Sequence, residues 1–260
     1  MAPTRREFLK IAGATAAGLI LPPWTSLAAA PAPIPVEPAV KGPLPALTAK
    51  RWAMTVDTGI TCPQGCRDCI DACHVNHNVP DFKNRKDDVH WISQEKVEHI
   101  FPAEAHPQLP EKIRGLSLTV LCNHCENPPC VRVCPTKATF KRADGIVMMD
   151  YHRCIGCRFC MAACPYGSRS MNYRDPRPFI PKINLDFPTR TKGVVEKCNF
   201  CDERLAKGIL PACVMACREK VLAFGDLEEG GSAVRRLLEG RFSIRRKPNL
   251  GTGPQVYYLL

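Results

Sequence analysis

Sixteen cysteines in four groups of four constrain this 260-residue chain more than any other feature. They fall as Cys62-x3-Cys66-x2-Cys69-x3-Cys73, Cys122-x2-Cys125-x4-Cys130-x3-Cys134, Cys154-x2-Cys157-x2-Cys160-x3-Cys164 and Cys198-x2-Cys201-x11-Cys213-x3-Cys217. Proline follows the last cysteine of the second and third groups, at Pro135 and Pro165. A loop with two residues between cysteines brings neighbouring thiolates onto one face of a small centre and turns backbone amides toward it. The fourth cysteine, three residues further on, is displaced enough to serve a second centre.

The third group has the bacterial ferredoxin spacing to the residue, which points to iron-sulfur clusters. Four complete quartets are enough for four [4Fe-4S] clusters, about sixteen irons. Other uses of cysteine fit poorly. Cysteine makes up about 6% of the chain, below the roughly 8–10% of disulfide scaffolds, and x2 spacing is awkward for bridging. Structural zinc uses Cys-x2-Cys pairs but has no use for triplets with a fourth cysteine three residues on. Covalent haem needs Cys-x-x-Cys-His, and the one cysteine followed by histidine, Cys73, has its predecessor at x3.

The N-terminus reads Thr4-Arg5-Arg6-Glu7-Phe8-Leu9-Lys10, then a mild apolar stretch from Ile11 to Leu21, then Ser26-Leu27-Ala28. Charged, apolar and small-residue regions in that order resemble a twin-arginine export signal over 1–28, cleaved after Ala28 or Ala29. Cleavage after Ala30 would set Pro31 against the scissile bond. Such signals accompany proteins loaded with cofactor before crossing, which explains how cluster ligands escape oxidation outside. Residues 29–50 hold six prolines, from Pro31 to Pro45, and read as a stiff extended tether. No later stretch approaches the roughly 18 apolar residues needed to span a bilayer. The expected location is therefore periplasmic, with any membrane association supplied by partner subunits.

A formal charge of +11 suggests nucleic acid at first sight. Losing the signal and gaining four clusters of roughly −2 each brings the mature holoprotein to about +1. The basic excess is counter-charge for clusters, and no nucleic-acid partner is expected. Five cations close to the cysteine groups (Arg67, Arg132, Lys137, Arg153, Arg158), together with Arg169 and Lys197, are candidates for raising reduction potentials; the sequence does not separate these from solvent-facing charges.

Between the groups, Arg51–Thr58 and Leu116–Leu121 alternate apolar and polar as half-buried strands should, and Gly145–Asp150 reads as a strand ending in the loop that delivers Cys154. Ser232 caps an expected helix to Leu238, and Arg241–Leu260 reads as a hairpin turning at Asn249-Leu250-Gly251. Strands leading into cysteine loops, with short helical turns after them, define an α+β fold of duplicated bicluster ferredoxin-like modules. The 48 residues from His74 to Leu121 carry His74, His77, His90, His99 and His106, without the helical His pair and carboxylate of a convincing metal site. His124 is expected to donate a hydrogen bond beside a cluster, since four cysteines already saturate it.

Several segments carry a family resemblance: Cys-Asn-His-Cys-Glu-Asn-Pro-Pro-Cys (122–130), Cys-Ile-Gly-Cys-Arg-Phe-Cys (154–160), Cys-Pro-Tyr-Gly (164–167) and Glu-Lys-Cys-Asn-Phe-Cys (196–201) leading to Pro211-Ala212-Cys213. Over roughly residues 50–260 the chain resembles the four-cluster electron-transfer subunits of dimethyl-sulfoxide-reductase-type complexes. Residues 65–74, 77–80 and 187–195 are most similar to the periplasmic iron-sulfur subunits of Dsr-type sulfur-metabolism complexes. The resemblance implies cross-ligation. Cys62, Cys66, Cys69 and Cys217 would hold one cluster; Cys73, Cys198, Cys201 and Cys213 its neighbour; Cys122, Cys125, Cys130 and Cys164 a third; Cys134, Cys154, Cys157 and Cys160 the last, nearest the membrane partner.

That pairing divides the chain into one module over 51–121 and 190–260 and another over 122–189. The family usually has x2 where this chain has x3 between Cys62 and Cys66; Pro63 and Gly65 favour a wider turn there. The resemblance also implies electron relay without a catalytic site in the chain. The relay would run between an integral-membrane quinone-interacting subunit and a periplasmic haem-containing subunit, or alternatively a molybdopterin subunit such as that of a polysulfide or tetrathionate reductase.

Overall fold

The computed structural model describes residues 45–60, 62–63, 65–84, 86–103, 106–108 and 110–260. The expected export signal and most of the proline-rich stretch lie outside the described residues, as does Gln64 in the wider turn of the first group. In chain order the strands are β1 (Trp52–Asp57), β2 (Ile92–Lys96), β3 (Ser117–Leu121), β4 (Thr139–Lys141), β5 (Val147–Met149), β6 (Ser170–Met171), β7 (Val195–Glu196), β8 (Leu222–Asp226), β9 (Ser243–Ile244) and β10 (Val256–Leu259). The helices are α1 (Asp68–Asn76), α2 (Val97–Ile100), α3 (Glu111–Arg114), α4 (Pro129–Arg132), α5 (Phe159–Ala162), α6 (Asp202–Leu205), α7 (Ala212–Ala216) and α8 (Ala233–Gly240).

The largest sheet has the order β8-β1-β10-β9. Its interior strand β1 is buried along nearly its whole length, polar Thr55 included, and not on one face only as its alternation predicts, because both faces of this strand are covered. It pairs antiparallel with β8, Trp52 opposite Asp226, and parallel with β10, Met54 opposite Val256. The parallel partner comes from the far end of the chain, so the C-terminal apolar run Val256–Leu259 is a sheet strand. The expected terminal hairpin is present: β9 and β10 pair antiparallel, with a 3-10 turn at Pro248–Leu250 between them. The expected helix is also present as α8, where Ser232 Oγ accepts from the Arg235 amide at 3.1 Å and Val234 is fully buried.

Three two-stranded ladders complete the sheet content, β2–β3, β4–β5 and β6–β7, all antiparallel. Each ends close to a cysteine loop: β3 runs into Cys122, β5 precedes Cys154 and β7 runs into Cys198. The core gathers around Trp52, Met54, Trp91, Ile100, Phe200 and Tyr258, and it includes Cys69, Cys73, Cys198 and Cys213. A fully buried aliphatic such as Ile100 or Ile146 contributes about 1.5–3 kcal/mol. A second, smaller core joins Ala138, Val147, Met149 and Val195 to Cys130 and Cys160. All described residues belong to one compact unit, Gly42–Leu260. Its N-terminal edge is pinned where the Leu47 amide donates to the Leu205 carbonyl at 2.8 Å and Lys50 and Arg51 amides donate to Asp226.

Candidate metal centres

One loop design recurs four times. The residue just before the second cysteine of each group is left-handed: Gly65 (φ 77°), His124 (φ 41°), Gly156 (φ 67°) and Phe200 (φ 57°). A left-handed residue reverses the chain and swings adjacent amides and thiols to one side. Each group then places a cysteine on a short helix: Cys69 on α1, Cys130 on α4, Cys160 on α5 and Cys213 on α7. Behind the fourth cysteine the third residue is again left-handed in three groups, at Lys137, Gly167 and Lys220. There its amide returns to the cysteine carbonyl at 3.3, 3.3 and 3.1 Å. In the first group Cys73 lies inside a helix that continues to Asn76, and the left-handed residue falls later, at Asn78.

Gly156 is required for two reasons. Its φ is +67°, and a Cβ there would lie 2.4 Å from the Gly193 carbonyl oxygen. His124 and Phe200 accept the left-handed cost with their rings stacked on each other, centroids 3.7 Å apart.

These loops bring the sixteen cysteines into four spatial quartets that cross the sequence groups. One cavity is walled by Cys62, Cys66, Cys69 and Cys217, with Thr119, Gln94 and Arg218. Another is walled by Cys122, Cys125, Cys130 and Cys164, with Asn123 and Arg169. A third is walled by Cys134, Cys154, Cys157 and Cys160, with Thr136, Gly156 and Val195. Cys73 lies with Cys198, Cys201 and Cys213, each of which disfavours its ionisation. In that quartet the Phe200 amide donates to Cys198 Sγ and the Ala212 amide to Cys201 Sγ, both at 3.4 Å.

Electrostatic contacts link each quartet to the next. The Cys69 thiol acts on Cys213, joining the first quartet (Cys62, Cys66, Cys69, Cys217) to the second (Cys73, Cys198, Cys201, Cys213). Cys122 acts on Cys198, joining the second to the third (Cys122, Cys125, Cys130, Cys164). Arg169 acts on both Cys130 and Cys160, joining the third to the fourth (Cys134, Cys154, Cys157, Cys160).

None of the sixteen cysteines is in a disulfide. Burial, then neighbouring sulfurs, push Cys69 up to about 11 and Cys125 to about 12, and Cys73, Cys201 and Cys213 are raised further. Thiols crowded in this way ionise only when a cation neutralises them, which is what an iron-sulfur cluster does. Orphaned donors agree with this: Nδ2 of Asn123 and Nη2 of Arg169 are buried without a hydrogen-bond partner beside the third quartet. The residues fit the group.

The supporting layer was only partly legible. His124 does not donate to a cluster through Nδ1; that atom accepts from the Val147 amide at 3.1 Å, and burial, Lys197 and Arg169 hold the imidazole neutral. His77 is buried between Trp91 and Phe187, with Nδ1 2.8 Å from the Cys73 carbonyl and Nε2 3.0 Å from Glu203. His77, Cys201 and Glu203 bring ligand atoms within 4.8 Å of one another, but Cys201 belongs to the second quartet. His90, His99 and His106 are exposed. Sequence reading missed the fully buried pair Arg190–Glu196, 2.6 Å apart, which ties the loop after α1 to β7. Arg190 also donates to the carbonyls of His77 (2.6 Å) and Asn78 (2.9 Å), and Trp91 Nε1 donates to Glu196 at 2.8 Å. Nothing in the sequence marks Arg190 out from the other surface-type charges.

An α+β, ferredoxin-like scaffold with four cysteine quartets defines an iron-sulfur electron-transfer protein. A family model described as a 4Fe-4S dicluster domain matches residues 113–177 and 181–227. The chain is similar to the Hdr-like menaquinol oxidoreductase iron-sulfur subunit 1 of Archaeoglobus fulgidus, 40% identical over 277 residues, covering 98% of this chain and 97% of that one. It is 34% identical to a subunit of the tetrathionate reductase of Salmonella typhimurium (98% of this chain, 88% of that one). It is also 34% identical to a chain of the polysulfide reductase of Wolinella succinogenes (80% and 94%). The chain is a member of the family of four-cluster [4Fe-4S] electron-transfer subunits of membrane-associated redox complexes.

Proposed function

We propose that this chain is the exported relay of a quinone-linked, sulfur-metabolising complex of the Dsr type. Its four quartets, ligated across the sequence groups as the family resemblance implies, carry electrons in single file. The observation that carries this reading is four linked quartets, each with a full set of four cysteines. The clusters supply one-electron transfer between adjacent centres. The protein fixes their separation, excludes water through the two cores, and donates amide hydrogen bonds to sulfur. Full ligand sets leave no open iron for substrate, so relay is the whole of its chemistry.

Similarity to a subunit named for menaquinol oxidation favours a membrane quinone-interacting partner at one end. Similarity to components of tetrathionate and polysulfide reductases supports a second reading, with a molybdopterin subunit at the other end in place of a haem-containing one. No helix among the described residues is long and apolar enough to cross a membrane, so attachment falls to a partner. Ile155 and Phe159 in the loop of the fourth quartet are 67% and 59% exposed, beside exposed Arg153 and Arg158, and form the docking face for the membrane subunit.

The test is purification from membranes with partners intact, followed by addition of a menaquinol analogue. The expected result is bleaching of the cluster absorbance, with charge reversal at Arg153 or Arg158 weakening retention more than reversal at Arg235 or Arg236. Clusters that stay oxidised under quinol and respond only through a different membrane donor contradict the reading.

A further inference from the structure

Of the seven cations near the cysteine loops, five (Arg67, Arg132, Lys137, Arg153, Arg158) are exposed, where water and salt screen them. Two are not. Lys197 is 1% exposed and Arg169 is 5% exposed. Both positions fall between quartets. Lys197 precedes Cys198 of the second quartet in the chain. Its Nζ donates to the carbonyls of Val147 and, at 2.7 Å, Cys198, and the thiols it feels most are Cys122, Cys198 and Cys130. Arg169 walls the third quartet and is held by a bond from Nη1 to Thr139 Oγ1 at 3.0 Å. Its Nη2 is buried with no hydrogen-bond partner, its Nη1 also reaches Met149 Sδ at 3.8 Å in the wall of the fourth quartet, and the guanidinium acts on Cys130 and Cys160.

The two buried charges converge on one centre. Lys197 is shared by the second and third quartets and Arg169 by the third and fourth, so the third alone faces both. The first quartet has no buried cation beside it among the described residues: acidic Asp68 and Glu219 wall it together with Arg218, which acts on Cys66 but is solvent-facing. The groups that disfavour ionisation of Cys62 include Glu219 and Asp68, and the nearby Arg218 is 75% exposed and paired with Asp68. A cluster that gains one electron gains one negative charge, and an unscreened cation beside it favours that reduced form.

We infer that Lys197 and Arg169 are positioning charges that make the cluster of Cys122, Cys125, Cys130 and Cys164 the highest-potential centre of the relay, with the cluster of Cys62, Cys66, Cys69 and Cys217 the lowest. The relay then holds its electron in the interior, at the third of four positions, and hands it outward only when a partner draws it off. This rests on the ligand quartets proposed above.

The experiment is stepwise reduction of the holoprotein by dithionite, one electron entering each cluster in turn, followed by low-temperature electron paramagnetic resonance. Cys125→Ser and Cys164→Ser assign the third cluster by the signal both alter. The first electron is expected in that signal. Lys197→Met is expected to lower the reduction equilibrium of the second and third clusters at least tenfold, ~59 mV for one electron, and to leave the fourth unchanged. Arg169→Met is expected to do the same to the third and fourth and to spare the first, while Arg169→Lys, which keeps the charge, restores most of the shift. A merely structural role would shift all four signals alike or none. If Cys125→Ser and Cys164→Ser alter different signals, the quartets are wrong. If they alter one signal but it is not the first to appear, the quartets stand and the tuning is overturned, whether or not the methionine variants assemble.

Discussion

At the scale of single residues, the conformational demands of the cysteine loops set the strictest requirements. Gly156→Ala places a methyl 2.4 Å from the Gly193 carbonyl at a left-handed φ, a combination that costs ~1–3 kcal/mol or more. We expect the purified variant to lose the iron of one cluster, about four atoms by metal analysis, with the other clusters retained. Retention of full iron content would show that the loop gives way. Asp226 makes a different contribution. Burial raises its pKa, but amides of Glu228, Lys50 and Arg51 outweigh burial and hold it below the usual carboxylate value. A depressed native pKa stabilises the fold above the unfolded-state pKa of about 3.9, and the stabilisation is lost as pH falls through the native value. Asp226→Asn should therefore lower the urea midpoint by the same amount at pH 7 and pH 5, the gap to wild type closing only below about pH 4. A gap that already closes between pH 7 and 5 contradicts the assignment.

At the scale of elements, what the sequence revealed and what it hid follow from different physics. Strands β1, β3 and β5 and helix α8 were legible because local patterning specifies them: β1 and β3 by alternation, though β1 is buried on both faces, β5 by its apolar run, α8 by its serine cap. The pairing of β1 with β10 was not, because a parallel partner some two hundred positions away leaves no local trace. Strand β2 was also hidden; Ile92-Ser93-Gln94-Glu95-Lys96 is polar over most of its length and exists by pairing with β3. The Arg190–Glu196 pair is hidden for a similar reason, since charge in sequence reads as surface. It joins the turn after α1 to β7, and so links the loops bearing Cys73 and Cys198 in one quartet. Removing one member strands a buried charge. Arg190→Met should cost about 3–5 kcal/mol in the urea midpoint of the holoprotein, and adding Glu196→Gln should recover part of that loss. A double variant as weak as the sum of the singles would show that the two side chains do not act as a pair.

At the scale of the whole molecule, the four cysteine groups were legible in their spacing, while their full interleaving was implied by the family resemblance alone. Spacing shows that Cys154, Cys157 and Cys160 converge, but it does not say where Cys164 goes. In the structure Cys164 crosses to Cys122, Cys125 and Cys130, and Cys134 crosses back. Cys217 joins the first group across more than half the chain, while Cys73 joins the fourth. This exchange joins the first and fourth cysteine groups, and the second and third, in shared quartets, and the proposed relay depends on it. The most direct test is paired cysteine replacement in the holoprotein, with each cluster followed by its own paramagnetic resonance signal. The account requires Cys164→Ser to alter the same signal as Cys125→Ser, and Cys134→Ser the same signal as Cys157→Ser. If Cys164→Ser instead alters the signal that Cys157→Ser alters, the centres are built from consecutive cysteines and the interleaved relay is wrong.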